Sequence, residues 1–170
     1  MKRFIYILAA IFVAVASSCI NEDMPEKADV VHVGDMLPNF SVTMNSGELV
    51  TGESLREGVS VVIFFHTSCS DCQQLLPQIE PLYNKYTAKG VAFALISREE
   101  GEGSIAEFWT AHNLTMPYSP QGDRVVYNLF ARSLIPRVYI SDNQGVIKYI
   151  FADNPVPSYE EIERALESLL

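Results

Sequence analysis

A run rich in β-branched and aromatic residues, Val59 to Phe65, leads within four positions into Cys69-Ser70-Asp71-Cys72, after which the chain turns amphipathic. Val59 to Phe65 shows no polar alternation along its length, the pattern of a strand buried on both faces. Downstream, Leu75, Leu76, Ile79, Leu82, Tyr83 and Tyr86 recur at spacings of three and four, which predicts one apolar stripe on a helix. Val91 to Ile96 is a second buried strand. A strand, a helix and a strand in that order commit the chain to an α/β arrangement and place two thiols at the first strand–helix junction.

The rest of the chain fits the same architecture. Phe40 to Thr43 and Leu49 to Thr51 flank Asn45-Ser46-Gly47 and predict a short hairpin. Ser104 and Glu107 have capping-box spacing, opening a helix toward His112, and Val125 to Ala131 is expected as another short helix. Ser97 to Gly103, with Arg98, Glu99, Glu100 and Glu102, is expected as a solvated loop. Val138 to Ser141 and Val146 to Phe151 flank Asp142-Asn143-Gln144-Gly145 as an antiparallel hairpin. Ser158 and Glu161 form a further capping box, ahead of the apolar stripe Tyr159, Ile162, Leu166 and Leu169. Trp109, Phe108, Tyr127, Phe130 and Leu134 are expected in the core. The fold class is α/β, a mixed central sheet with helices on both faces.

The two cysteines carry the chemistry. A thiol at a helix N-terminus meets unpaired backbone N–H groups and the positive end of the helix dipole, both of which favour thiolate. A second thiol three residues later lies one turn away, within reach of a disulfide. Cys69 then suits the role of nucleophile toward a disulfide, and Cys72 that of resolver. Two other readings of a C-x-x-C compete. Half a zinc site needs a second ligand pair, and His32, His66 and His112 are scattered without ligand spacing, so no metal and no cofactor is expected. A static disulfide closing so short a loop restrains the unfolded chain little.

The N-terminus supplies a use for the third cysteine. Lys2 and Arg3 precede 13 apolar residues, Phe4 to Ala16, followed by Ser17, Ser18 and Cys19. That run is short for a membrane span, which takes about 20 residues. A basic start, an apolar centre and small residues describe a secretory signal over residues 1–18. Ala16-Ser17-Ser18-Cys19 also resembles the lipobox of bacterial lipoproteins, which implies lipidation of Cys19 and an anchor in the cell envelope, on the periplasmic or outer-membrane side. Residues 19–30 are polar and acidic and read as a tether, with the folded domain spanning 31–170. Removing residues 1–18 leaves 10 basic against 21 acidic residues, a net charge of −11. So acidic a chain has no footprint for phosphate backbones, and nucleic acid is not an expected partner.

Val33-Gly34-Asp35-x-Leu37-Pro38-x-Phe40, Phe64-Phe65-x-x-x-Cys69-x-x-Cys72, Pro77, Ile135-Pro136 and Asp142-x-x-Gly145-x-Ile147 together resemble the thioredoxin-like, membrane-anchored redoxins of the TlpA type. The resemblance runs from about Val31 to the C-terminus. It implies a thioredoxin-like fold, exported protein disulfides as substrates, and a membrane or periplasmic electron donor. It also makes Pro77 the helix-bending proline and Ile135-Pro136 the cis-proline segment, whose backbone meets the substrate. Without that resemblance, a proline that merely starts an edge strand is the ordinary reading.

Three departures bear on the chemistry. Ser68 stands where a tryptophan usually precedes the first cysteine. Asp71 replaces the usual proline, and its charge opposes thiolate formation at both cysteines, favouring a moderately reducing centre. Leu75 occupies the place of a glutamate that assists proton transfer in many such proteins. His66 and Arg137 are candidate modulators of the thiolate; the alternatives are a polar strand end for His66 and a solvent-facing side chain for Arg137.

Three functions remain open at this level. Thiol–disulfide exchange leads. Peroxide reduction is a second, since the opening motif is shared with peroxiredoxin-like relatives; those proteins want a threonine three residues before the reactive cysteine and a proline four before that, where this chain has His66 and Val62. The third is a non-catalytic lipoprotein that keeps the fold and binds a partner.

Overall fold

The computed structural model describes residues 28–170. The Phe4–Ala16 run, Cys19 and most of the 19–30 segment lie outside the described residues. In chain order the elements are β1 (Ser41–Thr43), β2 (Leu49–Thr51), β3 (Ser60–Phe65), α1 (Ser70–Thr87), β4 (Ala92–Ser97), α2 (Glu102–His112), β5 (Tyr118–Ser119), β6 (Arg137–Ser141), β7 (Ile147–Phe151) and α3 (Tyr159–Glu167). β1 and β2 form the small hairpin expected around Asn45-Ser46-Gly47, with Val42 opposite Val50. The other five strands make one mixed sheet in the order β5-β4-β3-β6-β7.

β3 sits at the centre of that sheet and is buried along all six residues, which is why its sequence shows no alternation. β4 runs parallel to it and β6 antiparallel, with Phe65 opposite Ser97 and Phe64 opposite Arg137. The C-terminal ends of β3 and β4 and the N-terminal end of β6 therefore meet at one edge of the sheet. Helix α1 buries Cys72, Leu75, Leu76, Ile79, Leu82 and Tyr86. Pro77 and Pro81 lie inside it, and each lacks the N–H that would close a helical turn. Helix α3 packs beside α1 through Lys85 Nζ on the Glu163 carboxylate at 2.7 Å and Tyr159 N–H on Gln78 Oε1 at 3.0 Å. Its start is the expected capping box: the Ser158 hydroxyl accepts from Glu161 N–H, and Ser158 N–H donates to the Glu161 carboxylate.

Several expectations change. Helix α2 starts at Glu102, with Gly101 as N-cap and no side-chain cap, so Ser104 and Glu107 lie inside it rather than opening it. Ser97 to Glu100 is closed by its own bonds, the Ser97 hydroxyl donating to Glu100 C=O and accepting from Glu100 N–H, so the helix can begin directly beyond it. Val125 to Ala131 holds only a single 3₁₀ turn, Tyr127–Leu129. Tyr127 and Phe130 turn into the core against Phe64, and Ala131 pairs with Asp29, which leaves no continuous helical face. Leu134 is exposed rather than core, at φ +73°, where the chain bends toward Ile135. The short strand β5 carries too few residues to show a period. Finally, Asp29, Val30 and Val31 lie on the domain: Val30 and Val31 N–H both donate to Phe130 C=O, so the folded part reaches into the segment read as tether.

Candidate active site

Three residues, His66 to Ser68, bridge β3 and α1. Cys69 is the N-cap of α1, with extended backbone at φ −82° and ψ 121°. Its N–H donates to His66 C=O at 3.0 Å, and its own C=O accepts from Gln73 N–H at 2.9 Å. The Gln73 side-chain amide donates to Thr67 C=O at 2.7 Å, tying the bridge to the first turn of the helix. Cys69 is partly exposed, whereas Cys72 is fully buried; both are free thiols. Burial pushes the Cys72 thiol well above the ordinary cysteine range. The His66 backbone N–H pulls the other way, and the neighbouring Cys69 sulfur and Asp71 charge add to the rise.

The segment that faces Cys69 comes from the far end of the chain. The Ile135–Pro136 peptide bond is cis, as the family resemblance implies, and Pro136 is followed at once by β6 inside the sheet rather than by an edge strand. The Cys69 thiol donates to Ile135 C=O with Sγ···O 3.5 Å. Tyr127 is buried and its hydroxyl donates to Leu134 C=O at 2.7 Å, which holds the segment just ahead of Ile135.

Arg137 is held by two partners away from solvent. It is 2% exposed, donates to Ser133 C=O at 3.0 Å, and is ion-paired with Asp29. This pair, buried only on the arginine side, ties the N-terminal arm to the Ile135–Pro136 segment. The solvent-facing alternative therefore does not describe it. His66 is half-buried; its Nδ1 accepts from Ser68 N–H at 3.2 Å and lies 3.7 Å from Glu100 Oε2.

Glu100 is the largest departure from the sequence reading. Placed there in a solvated loop, it is instead the only buried carboxylate among the described residues. One oxygen accepts from Thr67 N–H at 2.8 Å and the other from the Thr67 hydroxyl. A charge-count reading of Arg98-Glu99-Glu100 could not find it. The available signal was topological, since a residue just past the end of β4 must lie beside the end of its parallel neighbour β3.

Residues 33–150 match the AhpC/TSA family. The chain belongs to that family. Among curated relatives, thioredoxin-like protein YneN of Bacillus subtilis is 30% identical over 124 residues, covering 71% of each chain. Thiol-disulfide oxidoreductase ResA of Oceanobacillus iheyensis is 27% identical over 155 residues, 88% of this chain and 81% of that protein. The fold also superposes on a putative protein disulfide isomerase from Bacteroides thetaiotaomicron, with TM-score 0.75, 24% identity and coverage of 84% of this chain and 90% of that one. The architecture is thus thioredoxin-like, and this AhpC/TSA member is an oxidoreductase of the redoxin class. Among the described residues no group of three His, Cys, Asp or Glu side chains is placed to hold a metal ion.

Proposed function

We propose that this AhpC/TSA-family protein is a thiol–disulfide oxidoreductase that exchanges electrons with disulfides of exported proteins through Cys69 and Cys72. The observation that carries the reading is the asymmetry of the pair: Cys69 is reachable and faces Ile135 C=O, while Cys72 is sealed behind it.

The reaction follows from that asymmetry. Cys69, as thiolate, attacks one sulfur of a substrate disulfide; that S–S bond breaks and the second substrate sulfur leaves as a thiol. Cys72 then loses its proton and attacks the Cys69 sulfur, which expels the first substrate thiol and leaves a Cys69–Cys72 disulfide. Two electrons have passed to the substrate, and an external dithiol donor in the membrane or the periplasm restores the pair. The backbone at Ile135 and Pro136 is the docking edge for the substrate strand. Residues 1–18 direct export, and lipid on Cys19 holds the domain at the envelope.

Insulin reduction by the full chain in detergent, with dithiothreitol as donor, tests this. The expected result is accelerated precipitation of the insulin B chain that depends on Cys69. A chain that gives no acceleration while its two thiols titrate normally would contradict it. Reaction with hydrogen peroxide is expected at the rate of an ordinary thiol, because His66, not threonine, stands three residues before Cys69.

A further inference from the structure

We infer that Glu100 is a positioning residue for the redox pair: by accepting both donors of Thr67, it fixes the turn that sets Cys69 against Cys72. The inference deepens the proposed thiol–disulfide chemistry and rests on that reading of the two cysteines.

A carboxylate removed from water is retained only where its acceptor capacity is filled, and here both oxygens are spent on one residue. Thr67 is the middle of the three-residue bridge, and the turn it belongs to ends in the Cys69 N–H to His66 C=O bond. Cys69 is the N-cap: its C=O accepts the first helical bond, from Gln73 N–H at 2.9 Å, but its own backbone is extended, so the helix holds only its carbonyl side. Its N–H side is set by the bridge, through the bond to His66 C=O. Glu100 is in turn immobilised: its C=O accepts from the Ser97 hydroxyl at 2.8 Å and from Gln121 N–H at 3.1 Å. The clamp therefore connects the end of β4 and the segment after β5 to the sulfur that starts the reaction.

Stability of an intramolecular disulfide relative to glutathione measures how well the two sulfurs are held together. Loosening the bridge lowers that effective concentration and makes the pair more oxidising. The other titratable groups near the turn are His66, beside Glu100, and Asp71 and Cys72 on α1; all are unchanged in the variants below.

The test is the glutathione redox equilibrium of the full chain in detergent, read by thiol alkylation and mass shift. Glu100→Ala is expected to lower the equilibrium constant for disulfide formation at least fivefold, about 20 mV for a two-electron couple. Glu100→Gln retains an acceptor for Thr67 N–H and an amide that can donate to the Thr67 hydroxyl, and is expected within twofold of the parent. A shift below fivefold in Glu100→Ala, or an equal shift in Glu100→Gln, would overturn the inference, the latter by assigning the effect to charge. Should Glu100→Ala not fold, Thr67→Val removes one of the two bonds; a shift of at least twofold in the same direction upholds the clamp and a smaller one overturns it. Any folded dithiol equilibrates with glutathione, so inactivity toward insulin would sink the proposed function while leaving this measurement readable.

Discussion

The Cys69 sulfur lies 3.5 Å from the carbonyl oxygen of Ile135, a residue 66 positions further along the chain. Two segments that share no local sequence signal meet there because β6 enters the sheet antiparallel to β3, which brings its leading residues to the edge where β3 ends. The proposed nucleophile and the backbone proposed to receive a substrate strand thus lie together, brought from two ends of the fold.

Burial of Cys72 has a consequence for pH. Its thiol is pushed above the ordinary cysteine range of about 8.5, so at neutral pH its thiolate fraction is smaller than that of a free cysteine. Raising the pH increases that fraction about tenfold per unit until the elevated pKa is reached. The release of a mixed disulfide by Cys72 should therefore accelerate with pH through and beyond 9 without levelling off. Asp71→Asn removes one of the charges that raise Cys72 and should speed this step about threefold at fixed pH. Rapid-quench measurement of mixed-disulfide decay checks both.

Glu80 offers a stability prediction away from the site. Its carboxylate accepts from Thr115 N–H at 2.9 Å and Met116 N–H at 3.3 Å, fixing the approach to β5. Burial alone would raise its pKa, but the bonds from Thr115 and Met116 outweigh burial and hold it below the usual carboxylate value. Its contribution is therefore present above the unfolded-state pKa, near 4.3, and is lost as pH falls through the lower folded-state value. Glu80→Ala should cost about 1–3 kcal/mol at pH 7, and the cost should shrink steadily as pH falls below the unfolded-state value, as read from urea unfolding across that range.

The Asp29–Arg137 pair predicts a dependence on the N-terminal arm. Arg137 is buried and Asp29 is 41% exposed, so removing Asp29 strands a guanidinium that the sheet has already desolvated. Asp29→Ala should destabilise the domain by about 1–3 kcal/mol, less than a fully buried pair would lose. A thermal melt lowered by several degrees is the expected readout. Arg137→Met together with Asp29→Ala should recover part of the loss, since no unpaired charge then remains.

Much of this molecule could be read from its residues where one local rule decides. β3 and α1 announce themselves by a change of period at Cys69, and Ser158 with Glu161 caps α3 as its spacing requires. The cis bond at Ile135–Pro136 followed from family likeness and not from any property of the dipeptide. What stayed hidden depends on distant partners. Glu100 looks like one more acid in a charged loop until Thr67 is set beside it, and Arg137 looks free until Asp29 folds across it. At Ser104 and Glu107 a capping motif was present but inoperative, because Ser97 had already ordered the preceding turn.

The division of labour between Cys69 and Cys72 is tested most directly by mass spectrometry of the adduct trapped by Cys72→Ser after exposure to an oxidised protein substrate. The expected result is one substrate joined through Cys69, released by dithiothreitol, and no adduct when Cys69 is replaced instead. Adducts through Cys72 in a Cys69→Ser chain, or none in either, would contradict the assignment of attacker and resolver.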